Sequence, residues 1–191
     1  MIRLVPSEWP VKQMSETETE VVGLSTVPLT RQKQDIIDAE LEKYARATNY
    51  IIAAIFGEPP SNKKKILQGL RNEFYERFDD RPDYFEDVLV TARLEIRRHK
   101  AQAKYLRNLR DKVPSFEEGE LRFSAPIVEV GEKAIVLKTS DDEVPLPFDK
   151  YSRNKNAQVL EQIRSGGKAF ERVRFKWNKE GYFDVDIRME E

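Results

Sequence analysis

The densest candidate chemistry in this chain is a run of cations between Arg93 and Lys112. The run holds Arg93, Arg97, Arg98, Lys100, Lys104, Arg107, Arg110 and Lys112 against only Glu95 and Asp111, a local charge of +6. Arg93, Arg97, Lys100, Lys104 and Arg107 recur at steps of three or four residues, so one continuous helix would present them on one side. Guanidinium forks suit phosphate oxygens, and several cations on one side of a helix can hold a nucleic-acid backbone through counterion release without reading its sequence. Tyr105 lies within the run, where its ring either stacks on a base or packs on a neighbouring helix. The competing use of the cations is internal. Residues 76–87 carry a net charge of −4, from Glu76, Asp79, Asp80, Asp83, Glu86 and Asp87 against Arg77 and Arg81, and would neutralise the basic run if the two packed together.

Two smaller groups also carry charge. Lys63-Lys64-Lys65 opens a predicted helix, where cations oppose the macrodipole, or else forms a solvated lysine run beside a turn. Near the C-terminus, Val173, Phe175 and Trp177 alternate with Arg172, Arg174 and Lys176, and Phe183, Val185, Ile187 and Met189 alternate with Asp184, Asp186 and Arg188. Both apolar sets are odd-numbered, which predicts a hairpin pairing odd with odd, closed by Lys179-Glu180-Gly181 with Gly181 left-handed. Lys176 then meets Asp184, Arg174 meets Asp186, and Arg172 meets Arg188. Most of this basic stripe is cancelled by its own partner strand. Arg172 and Arg188 are left as a like-charged pair, either a solvated edge or a seat for an anion.

Catalytic constellations are not seen. With no Cys there is no thiol chemistry, disulfide or Cys-ligated metal, and the single His99 cannot build a multi-His site. There is no Gly-rich phosphate loop, G-x-S-x-G or H-E-x-x-H motif. Asp79-Asp80 and Asp141-Asp142 fall in predicted turns, where Asp is favoured for backbone reasons alone. The expectation is a protein with no catalytic residues, no metal and no cofactor. Across 191 residues, 33 Lys plus Arg balance 34 Asp plus Glu to a net charge of −1, so any surface for a polyanion must be local. Charged residues make up 35% of the chain, a content that would suit a thermophile's ion-pair networks. No apolar run reaches membrane-spanning length and the N-terminus lacks a secretory apolar segment, so a cytoplasmic location is expected.

The elements that must position these residues follow from the periodicities. Residues 1–19 hold Pro6, Pro10 and the polar stretch before Glu20, and read as a flexible tail that only Trp9 would anchor. Residues 20–29 read as a first strand. Thr30 is the expected N-cap of a helix reaching Phe56, with Ile37, Leu41, Tyr44, Thr48, Ile51 and Ile55 on one stripe. Gly57 and Pro59-Pro60 stop it. Further helices are expected over residues 63–78, with Ile66, Leu70, Phe74 and Phe78 on one face, and over residues 83–112. The period then changes to two, giving strands over residues 121–130, 133–139, 143–148, 168–177 and 182–189 and one helix over 154–164. The order implies an α+β fold: a small antiparallel OB-like β-barrel, made from residues 20–29 and 114–191, with a helical bundle over residues 30–113 inserted after the first strand. A helical domain followed by a separate β domain is the alternative.

Three segments carry a resemblance to a known family. The first strand leads through Leu29-Thr30 into a helix containing Tyr44-Ala-Arg-Ala-Thr-Asn-Tyr50; the basic helix runs into Val113-Pro-Ser-Phe116; and the chain closes on Phe175-Lys-Trp-Asn-Lys-Glu-Gly-Tyr-Phe-Asp-Val-Asp-Ile-Arg-Met-Glu190. Over residues 20–191 this resembles the N-terminal, non-catalytic half of the transposon-encoded TnpB proteins, relatives of RNA-guided Cas-type nucleases. The resemblance implies an OB-like wedge domain with an inserted recognition bundle that holds RNA and contacts DNA. Where that family's RuvC-like nuclease domain would follow, this sequence ends at Glu191, and the zinc-ribbon cysteines are absent. The expected function is therefore a non-catalytic nucleic-acid-binding module, RNA first, with any nuclease supplied by a partner protein. Its expected contacts are Arg93, Arg97, Arg98, Lys100, Lys104, Tyr105, Arg107, Arg172 and Arg188. A protein-interaction or structural module that keeps the fold without nucleic acid is the alternative, in keeping with the near-zero net charge.

Overall fold

A computed structural model describes residues 20–190, so the tail expected over residues 1–19, with Trp9, lies outside it. The described elements are β1 (Val21–Ser25), α1 (Arg31–Ile55), α2 (Pro60–Arg77), α3 (Pro82–Ala103), β2 (Glu120–Phe123), β3 (Val128–Val130), β4 (Ala134–Lys138), β5 (Glu143–Pro147), α4 (Lys150–Lys155), α5 (Ala157–Arg164), β6 (Phe170–Asn178) and β7 (Tyr182–Met189). All six stripe residues expected on α1 are buried, and Gly57 stops the helix at a φ of 81°, a conformation that glycine adopts without strain. Helix α2 starts earlier than the lysine run suggests. Pro60 takes its first position, where a missing N–H leaves no bond unmade. Of its expected face only Phe74 is fully buried; Leu67 shares the interior, while Ile66, Leu70 and Phe78 are half-buried.

The strands form two antiparallel sheets, ordered β1-β7-β6-β2 and β3-β4-β5. The β6–β7 register is the expected one: Trp177 faces Phe183, Phe175 faces Val185, Val173 faces Ile187, and Arg172 faces Arg188. Gly181, at a φ of 90°, makes the turn. The sheets touch along one side, where Thr26 bridges Phe148 and Val27 N–H bonds Pro147 O at 2.8 Å.

They do not close into a barrel, which corrects the expected OB-like closure. The single strand expected over residues 121–130 is two strands, separated by a turn around Pro126, which has no N–H to give to a ladder. The outer edge of β2 is also occupied. Tyr44 Oη donates to Arg122 O at 3.0 Å, and the Asp87 carboxylate accepts from Ser124 N–H at 2.8 Å. Helices α1 and α3 thus take the backbone groups through which a closing strand would pair.

This edge contact merges helices and sheets into one apolar cluster, rather than the separate helical and β domains of the alternative. At its centre Tyr44 packs edge-on against Tyr84, Phe116 and Phe123, at centroid distances of 6.2, 5.7 and 5.0 Å. Among the described residues no helix is long and apolar enough to cross a membrane.

Candidate nucleic-acid interface

Helix α3 presents the basic run, and its sequence explains where it stops. Pro82 and Asp83 occupy its first turn, and Phe85, Val88, Leu89, Ala92 and Ile96 bury its inner face. Beyond Ile96 only His99 still leans on the interior, edge-on to Phe56 at 5.7 Å. No residue from 97 to 115 is fully buried, and the helix, without a buried face, ends at Ala103 instead of continuing to Lys112. Leu106 N–H closes the last turn onto Gln102 O, and Arg110 Nε donates to Ala103 O at 3.2 Å. A 3₁₀ turn over Arg107–Leu109 follows. The chain is then pinned at Phe116, whose backbone N–H and C=O both bond the side-chain amide of Asn49, at 2.7 and 2.9 Å.

This ending divides the expected contacts. Arg93, Arg97 and Lys100 share the exposed side of α3 as expected, spanning about 10 Å of helix at ~1.5 Å per residue. Lys104 and Arg107 lie past the helix, so the five-residue stripe becomes three helical cations and a basic loop. Arg98 is exposed but shares Glu95 with Arg122, at 3.4 and 3.0 Å. Tyr105 is 86% exposed, which removes the helix-packing role and leaves its ring in solvent; Leu106 and Val113 are also exposed.

The acidic stretch does not neutralise this run. Asp79 is buried and accepts from Lys43, Arg81 and Ser140 at 3.0, 2.8 and 3.0 Å. Burial alone would raise its carboxyl, but the Arg81 and Lys43 bonds outweigh that and bring it down to about 2. Glu86 bonds Arg71, and Asp87 bonds Arg172 at 3.1 Å. Burial pushes Asp87 above the usual carboxylate value, against the help of Ser124 and Arg172. Arg93, Arg97, Lys100, Lys104 and Arg107 form no ion pair with any described residue.

Arg172 and Arg188 fare differently. They sit opposite each other as expected, but Arg172 turns to Asp87, and Arg188 Nε lies 2.9 Å from Glu171, which bulges out of β6. Each already faces a carboxylate. Sequence reasoning missed Asp79 and Asp87 as organising groups, because a turn Asp and a helix Asp look solvated until the elements around them are placed. Among the described residues no group of three or more His, Asp or Glu is placed to hold a metal ion. No protein-family model and no curated protein sequence matches the chain.

Proposed function

We propose that this chain is a non-catalytic module that binds nucleic acid, RNA in the first instance, through backbone phosphates. The observation that carries the reading is the row Arg93, Arg97 and Lys100, exposed on one side of α3 and without an acidic partner among the described residues. Like charges at helical spacing cost a few tenths of a kcal/mol each, a penalty that an anionic ligand reverses. Arg98, Lys104 and Arg107 extend the surface, and the open ring of Tyr105 offers a stacking platform at its end. The resemblance to the N-terminal half of TnpB proteins supports the same reading. In it the two open sheets take the place of the wedge domain and the three long helices that of the recognition bundle, in a cytoplasmic protein.

The double variant R97E/K100E tests it. Both residues are exposed, so helix content and melting temperature stay unchanged while affinity for structured RNA falls at least about tenfold. Unchanged affinity contradicts the reading. A protein-interaction module is the second reading, favoured by the exposed apolar side chains of Tyr105, Leu106 and Val113. Protein that purifies free of nucleic acid and shows no affinity for RNA or DNA at micromolar concentration supports it.

A further inference from the structure

The helical block holds a second set of converging cations. Between the start of α2 and the middle of α3 lies a groove of about 480 Å³, whose walls include Lys63, Lys64, Arg71, Glu86 and Arg93. Leu67 and Leu89, both buried, form its apolar floor, which strengthens electrostatic interaction above it. Arg71 is fixed in place, its guanidinium 4.5 Å from the Phe85 ring centroid and 2.8 Å from Glu86. That contact engages the groove's one carboxylate. Lys63, Lys64 and Arg93 form no ion pair with any described residue. The end of α2 adds the same sign, since its N-cap is Pro59, with no side-chain cap bond, and its first turn holds no acidic residue.

We infer that this groove is a discrete phosphate site that receives a backbone phosphate of the strand lying along α3, an inference that rests on the nucleic-acid reading above. Arg93 belongs to both features, as the first cation of the α3 row and a wall of the groove. A strand running from Lys100 past Arg97 to Arg93 therefore meets Lys63 and Lys64 next. Their ammonium groups act as mobile point charges on the phosphate, while Arg71 keeps Glu86 neutralised at its edge. The groove thereby gives the interface a defined path from one helix to the next, where α3 alone gives only a direction.

The test compares K63A/K64A with K65A, since Lys65 is exposed and does not line the groove. Affinity for a labelled RNA hairpin is measured by anisotropy across a salt series. The groove predicts that K63A/K64A binds at least about fivefold more weakly and that its log–log salt slope is shallower by about 0.8, one phosphate contact. K65A is expected to match wild type, and both variants to keep the wild-type melting temperature. If wild type binds and K63A/K64A keeps its affinity and slope, the groove is refuted while the α3 interface stands. Equal losses in K65A refute it too, as a general charge effect. Failure of wild type to bind removes both readings.

Discussion

Cations of the same chemistry meet different fates in this chain, and the difference is whether a carboxylate lies within reach. Arg81, Arg122 and Arg172 each hold an acidic partner in or near the interior, whereas Arg93, Arg97 and Lys100 hold none among the described residues. Asp79 is the clearest of the engaged groups. Its folded carboxyl lies at about 2 against an ordinary 3.8, so the stability it contributes is present above pH 3.8 and is lost as pH falls towards 2. Asp79→Asn is expected to cost about 2 kcal/mol at pH 7 in urea unfolding, with the gap to wild type closing as pH falls from about 3.8 towards 2. A gap that is constant from pH 7 to pH 2.5 contradicts this assignment. Asp87 has the opposite sign: its carboxyl is raised, so protonation of this group favours the fold as pH falls through its folded value. Neither role was legible in the sequence, because both depend on which helix, turn and strand meet around the carboxylate.

Element by element, legibility followed how local the governing constraint is. The β6–β7 register could be read residue for residue, because a period of two and a three-residue loop ending in Gly181 leave one pairing with the apolar side buried. The α1 stripe was equally legible. The end of α3 was not, since its basic residues are good helix formers and only the loss of a buried face after Ile96 stops it. Barrel closure failed for a related reason: the β2 edge is sealed by Tyr44 and Asp87, side chains remote in sequence. Tyr44→Phe removes the Oη that bonds Arg122 O and lies 2.7 Å from Thr91 Oγ1, leaving buried polar groups unmatched. The expected cost is about 1–3 kcal/mol by denaturant unfolding, and a loss of protection from amide exchange centred on β2. A variant as stable as wild type, with β2 fully protected, contradicts the edge-sealing role.

Over the whole molecule, a net charge of −1 is the sum of unlike regions. The sheet side cancels itself, through pairs such as Arg174 with Asp186 and Arg188 with Glu171. The helical side does not. Its acidic residues at 79, 86 and 87 are drawn to Lys43, Arg81, Arg71 and Arg172, leaving the α3 row and the groove beside it uncompensated. The sequence counts alone argue against a polyanion ligand, and the placement of the charges argues for one. The direct test is the affinity of the unaltered protein for a structured RNA across potassium chloride concentrations. Contacts from α3 and the groove predict binding whose log–log salt slope lies between about −2 and −5. A flat slope, or no binding at micromolar protein in low salt, contradicts the account.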